Sequence, residues 1–92
     1  MFLALQPLAP FEAHFLTSVS SRDYILDVAW PEHRVAAEIV GRAHRVASRS
    51  AFDRERRKFN ALAAAGWRIA HLTAAMTPTE MLGAVRSLLP RG

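Results

Sequence analysis

Two carboxylates stand in a stretch that is otherwise largely apolar. From Asp23 to Val40 the chain reads Asp-Tyr-Ile-Leu-Asp-Val-Ala-Trp-Pro-Glu-His-Arg-Val-Ala-Ala-Glu-Ile-Val. These are two alternating runs joined at Trp30, Pro31, Glu32 and His33. Tyr24, Leu26 and Val28 share a face with Val35, Ala37 and Ile39. The other face carries Ile25, Asp27, Ala29, Arg34, Ala36, Glu38 and Val40. If Ala29 pairs with Arg34, Asp27 lies opposite Ala36 and Glu38 is one same-face step away, roughly 7–8 Å, within reach of a shared cation. Carboxylate oxygens so placed suit a hard divalent ion. The alternative is a pair of solvated acids on the open face of a half-exposed sheet.

A second feature lies directly downstream. The net charge of +4 is unevenly spread: Arg42, Arg45, Arg49, Arg54, Arg56, Arg57 and Lys58 face only Asp53 and Glu55, so this segment carries +5 and the rest −1. A basic segment beside an acid pair suits a polyanion brought to a metal. Read without the acids, it is a solvated, arginine-rich helix face. Arg54, Arg57 and Lys58 recur at i, i+3 and i+4, so they can meet one phosphate backbone together.

The elements that must position these residues follow from local pattern. With 92 residues, 51% of them apolar, the chain forms one domain with one core. It has no cysteine, which excludes disulfides, a thiolate metal site and a cysteine nucleophile. Residues 1–10 read as an irregular or short helical lead-in held by Phe2, Leu3 and Leu5. They lack a basic n-region and are broken by Gln6, Pro7 and Pro10, unlike a signal peptide. No apolar run approaches membrane-spanning length, so a soluble, cytoplasmic protein is expected.

Phe11 to Leu16 alternates as a strand, and Thr17 to Arg22 is a serine-rich turn into the central hairpin. Gly41 ends the second hairpin strand before an arginine-bearing loop, Arg42 to Arg49. Ser50 and Asp53 then have the spacing of a capping box, with Phe52, Phe59 and Leu62 as the buried stripe of a helix closed by Gly66. Trp67 to Thr73 is a strand reached by a helical crossover and is therefore parallel to its predecessor. Thr77, Pro78 and Glu80 start a last helix that buries Met81, Leu82, Val85 and Leu89 and stops at Pro90. The predicted fold is α/β: a three-stranded antiparallel meander plus one parallel strand in a small mixed sheet flanked by helices.

With the acids, the basic helix and this element order set out, three stretches resemble the PD-(D/E)xK, or restriction-endonuclease-like, nucleases. They are Leu26-Asp27-Val28-Ala29-Trp30-Pro31-Glu32, Ala37-Glu38-Ile39-Val40-Gly41, and Phe52 through Lys58-Phe59-Asn60 to Gly66-Trp67-Arg68-Ile69. The resemblance spans roughly residues 11–76 and is nearest a small phage and bacterial branch related to very-short-patch-repair endonucleases and Holliday junction resolvases. It implies metal-dependent hydrolysis of DNA phosphodiesters, with Asp27, Glu38 and the Ile39 carbonyl holding Mg²⁺ or Mn²⁺. It also implies Arg42, His44, Arg45, Arg49, Arg54, Arg57 and Lys58 as DNA-gripping residues. Some relatives carry a further acid upstream, for which Glu12 is the candidate.

The third motif position, usually lysine, is Val40 here. Lys58, the only lysine of the chain, is the candidate substitute. His44 is a second candidate, as a general base. A homodimer acting on branched or nicked DNA is expected, since one small domain contacts little DNA. Val40 equally supports a binding module of the same fold that holds DNA without cutting. A third reading makes the arginine stripe a surface for an acidic protein partner. His14, His33, His44 and His71 share no zinc-ligand spacing, and His71 reads as a core or edge histidine. Trp30 and Trp67 read as packing between sheet and helices rather than as base-stacking groups. No glycine-rich phosphate loop is present.

Overall fold

The computed structural model describes residues 2–40 and 49–90, with only the backbone of Phe2. Within them the fold is mixed α/β: a four-stranded sheet in the order β1-β2-β3-β4, antiparallel except for the parallel β3–β4 pair, and three helices. The strands are β1 (Glu12–Val19), β2 (Arg22–Trp30), β3 (Val35–Val40) and β4 (Arg68–Thr73). The helices are α1 (Phe2–Leu5), α2 (Arg49–Ala64) and α3 (Pro78–Arg86).

Where the composition suggested one core, the buried residues form two clusters, one on each face of the sheet. On one, Leu5 of α1 and Met81 and Val85 of α3 pack on Val28, Trp30, Val35, Ala37, Ala70 and Leu72. On the other, Leu62 of α2 packs with Leu26, Ala29, Ala36 and Trp67. Both tryptophans are buried, and Trp30 donates its Nε1–H to the Leu8 carbonyl at 2.8 Å. Their role in packing is thus visible in the contacts.

The lead-in is α1 followed by a 3₁₀ turn, Gln6–Leu8, and it is anchored by Leu5 rather than Leu3, which is 86% exposed. The serine-rich turn is shorter than expected. β1 runs to Val19 and β2 starts at Arg22, leaving Ser20 and Ser21 as the two central residues, with φ of 52° and 68°. Positive φ at both positions is the hairpin turn whose twist matches its strands, a conformation usually filled by Asn-Gly. Ser18 Oγ bonds Asp23 Oδ1 across it.

The central register also differs from expectation. Arg34 lies outside the strand: it caps the 3₁₀ turn Pro31–His33 at φ 52°. Ala29 therefore pairs with Ala36, two residues from the expected partner. The expected single face for Tyr24, Leu26 and Val28 is broken as well. Tyr24 and Leu26 pack on the α2 side and Val28 on the α1/α3 side. The exchange occurs at Asp27, at the level of His14, whose left-handed φ of 52° turns β1 as well. Phe11 consequently meets Trp30, centroids 5.6 Å apart, while Phe15 meets Trp67 on the opposite face. A local twist of this kind is invisible to a strict period of two.

Ser50 is not the N-cap of α2, because the helix already includes Arg49. Leu62 is buried and Phe59 half-buried as expected, but Phe52 is 58% exposed. The C-terminus of α2 closes through two bonds around Gly66 at φ +92°: Trp67 N–H to the Leu62 carbonyl and Gly66 N–H to the Ala63 carbonyl. That is the Schellman pattern. Both reciprocal capping bonds of Thr77 and Glu80 start α3. This helix ends at Arg86 rather than Leu89, and Leu88 and Leu89 reach the core from the turns beyond it. No helix of the described residues is long and apolar enough to cross a membrane.

Candidate functional site

β2 and β3 stay together only from Trp30↔Val35 to Val28↔Ala37. Beyond that level β2 continues paired with β1, and β3 continues paired with β4 to Val40↔Thr73. The sheet forks there, and the two acids occupy the fork. Glu38 Oε2 accepts the backbone N–H of Asp27 at 2.7 Å, and Asp27 Oδ2 accepts the backbone N–H of Ile39 at 2.8 Å. Side-chain carboxylates thus serve as acceptors at the level where the β2–β3 ladder stops. The two-residue change of register brings the acids closer than the diagonal arrangement expected from sequence, into direct opposition.

Lys58 closes the fork from α2. Its Nζ donates to Glu38 Oε1 at 2.9 Å and to the Ile25 carbonyl at 3.0 Å, bridging both branches. The Glu38 residue is only 8% exposed. Burial this deep removes a carboxylate's water partners, and protein donors must replace them. Asp27 N–H and Lys58 are those donors.

The fork opens into a cleft of about 280 Å³ lined by Asp27, Glu38, Ile39, Val40, Glu55, Arg56, Lys58, Phe59 and His71. Val40 stands at its mouth, 45% exposed. His71, on β4 beside Glu38, turns its ring edge-on to Phe59 with centroids 4.7 Å apart. It is an exposed edge-strand residue that borders the cleft. Arg56 holds its guanidinium 5.4 Å from the Phe52 centroid and 5.6 Å from that of Phe59.

Of the residues singled out in the sequence, the cleft gathers Asp27, Glu38, Ile39, Val40 and Lys58. Glu12 is not among its lining residues. It borders a separate cavity of about 650 Å³ formed with Leu8, Phe11, Trp30, Pro31 and Leu89. Arg49, Arg54 and Arg57 are exposed on α2 and outside the cleft lining, while Arg42, His44 and Arg45 lie outside the described residues. Glu55, Arg56, Phe59 and His71 are the cleft residues that sequence reasoning missed as site members, Phe59 having been read only as core. For Arg56 the available signal was its i, i+4 and i−3 spacing from Phe52 and Phe59, which groups the three on one helix face.

The donor set suits a small hard cation. Each acid is fixed through one oxygen by a backbone N–H, and the Ile39 carbonyl lies on the same strand as Glu38. One or two carboxylates are enough for Mg²⁺, which keeps several of its own waters. Among the described residues no group of three or more His, Cys, Asp or Glu side chains is assembled as a metal site. Comparison of the chain with protein-family models, with curated proteins and with solved structures found no match.

Proposed function

We propose that the protein is a metal-dependent DNA endonuclease of the restriction-endonuclease-like class, with Asp27, Glu38 and Lys58 as its reactive centre. The observation that carries this reading is the seat of the chain's only lysine: Lys58 Nζ lies 2.9 Å from Glu38 Oε1, facing an acid pair in an open cleft. An ammonium there does what a lysine at position 40 would do, from a helix rather than from the strand.

Asp27, Glu38 and the Ile39 carbonyl would hold Mg²⁺ or Mn²⁺, with Glu38 Oε1 shared between the cation and Lys58 Nζ. When bound, such a cation lowers the pKa of a water and offsets charge on a phosphoryl oxygen. The protein's own residues have distinct tasks. The backbone N–H groups of Asp27 and Ile39 fix the orientation of both carboxylates before substrate arrives. Lys58 is a fixed cation aimed at the same space, placed to stabilise the extra negative charge of a pentacoordinate phosphate. Arg49, Arg54 and Arg57 supply the sequence-independent grip on flanking phosphates.

The substrate is DNA, met in the cytoplasm by a homodimer, since one domain of this size covers little of a duplex. A second reading is favoured by Val40, whose apolar side chain stands at the cleft where the related nucleases carry a charge. It makes the same fold a DNA-holding module that does not cut. The deciding experiment is cleavage of supercoiled plasmid and of a four-way junction with Mg²⁺, Mn²⁺ or chelator. Wild type is compared with Asp27→Asn, Glu38→Gln and Lys58→Met. Metal-dependent cutting abolished by all three substitutions is expected. Salt-sensitive binding with no cutting under either metal would leave the binding module in its place.

A further inference from the structure

Phe52 is the anomaly of α2. It is a large aromatic residue, 58% exposed, on a helix whose other core-directed aromatic, Phe59, is half-buried. It is not isolated. The Arg56 guanidinium lies over both the Phe52 and Phe59 rings, and Phe59 meets His71 edge-on at the cleft wall. The result is a row of flat groups, Phe52, Arg56, Phe59 and His71, running from the helix surface to the acids. The last three line the cleft.

We propose that this row is a stacking track for an unpaired nucleotide, with Phe52 receiving a base beside the phosphate that enters the cleft. The inference rests on the nucleic-acid reading above and narrows its substrate class to DNA with single-stranded character at the site of action. Gripping a duplex backbone calls for cations alone, and α2 has those in Arg49, Arg54 and Arg57. An exposed ring with a guanidinium against it adds what a duplex cannot use, because paired bases keep their faces stacked on one another. Aromatic faces combined with a cationic groove are the chemistry of single-strand binding. Arg56 is suited to both contacts: its plane stacks and its N–H groups reach phosphate oxygens. Arg56 lies against both rings of the track.

The test uses the full chain and is run in chelator, so that binding is read without cutting. Fluorescence anisotropy gives the affinity for a labelled single-stranded oligonucleotide and for the duplex of the same sequence. Phe52→Ala is expected to weaken single-strand binding about tenfold, the scale of one lost base-stacking contact, and to leave duplex binding within about twofold. Phe52→Trp is expected to retain single-strand affinity and to gain a tryptophan signal quenched by the single strand, a signature that a merely structural role would not give. Arg56→Gln is expected to weaken both DNAs and to lower the salt slope by about one phosphate.

Equal losses on single strand and duplex for Phe52→Ala, no loss on either, or no quenching in Phe52→Trp would overturn the track. These outcomes are separate from the fate of the nuclease reading. Cutting that is lost on replacing Asp27 while Phe52→Ala changes nothing removes the track alone. A Phe52-dependent single-strand preference in a protein that never cuts keeps the track and removes the nuclease.

Discussion

Replacing Lys58 with methionine keeps most of the apolar stem and removes the charge. Two acceptors then lose their donor: Glu38 Oε1 at 2.9 Å and the Ile25 carbonyl at 3.0 Å. Removing one partner of a fully buried ion pair costs about 3–5 kcal/mol, whereas an exposed pair is worth about 0–1 kcal/mol. The side chains here are 21% and 11% exposed, nearer the buried limit but open to the cleft on one side. The expected loss is therefore about 2 kcal/mol, which for a domain of this size lowers the melting temperature by roughly 8–16 °C. Urea unfolding at pH 7 in chelator measures it, with m unchanged if the native state keeps its compactness.

The orphaned Glu38 charge supplies a second arm. Glu38→Gln in the Lys58→Met background removes the orphaned charge while its amide oxygen still accepts from Asp27 N–H. The double variant should be more stable than Lys58→Met alone, with a coupling of about 1 kcal/mol or more. Lys58→Met within about 0.5 kcal/mol of wild type, or additive effects of the two substitutions, would refute the argument that the lysine holds the fork closed.

Two further outcomes are expected. Mg²⁺ should raise the melting temperature of the wild type progressively with its concentration, the stabilisation reaching about 2.7 kcal/mol at a hundredfold excess over the dissociation constant. Asp27→Asn should abolish that response while folding normally, since its amide oxygen can still accept from Ile39 N–H, and an equal response in both proteins would move the cation away from the acids. Thr77→Ala should cost about 1 kcal/mol, or roughly 4–8 °C, by removing the side-chain acceptor for Glu80 N–H; an unchanged thermal melt by circular dichroism would show that α3 does not depend on its cap.

Those elements whose signals are local were legible in the sequence. The Thr77-Pro78-Thr79-Glu80 start of α3, the Gly66 end of α2 and the alternation of β3 each depend on a few neighbouring residues, and the structure has all three. What was hidden depends on single residues at positive φ. Arg34, a residue with no special preference for that conformation, takes one position out of the strand and moves the register by two. Ser20 and Ser21 do the same work as an Asn-Gly pair without its signature. His14 sits at the level where both strands of the hairpin exchange faces, so Leu26 and Val28 part although they are two apart. The acids themselves were legible by type and their closeness was not, because it came from the register. Lys58 was legible as the only residue of its kind and Arg56 had a helical spacing to Phe52 and Phe59, while His71 acquired its place from the meeting of α2 and β4, a contact with no sequence-local trace.

The acids at the fork also bear on how this chain can change over generations. Asp27 and Glu38 accept the backbone hydrogens of Ile39 and Asp27, so each holds the opposite branch of the sheet in addition to anything it does to a substrate. Loss of either side chain strips a donor of its partner in the middle of the domain, and selection for a folded protein alone opposes that loss. If the proposed activity on DNA is real, a descendant that lost it would keep the pair long afterwards. Substitutions that preserve an acceptor, such as asparagine or glutamine, are the open routes out of the site. Their appearance in a lineage would mark the point at which chemistry, rather than folding, ceased to be under selection.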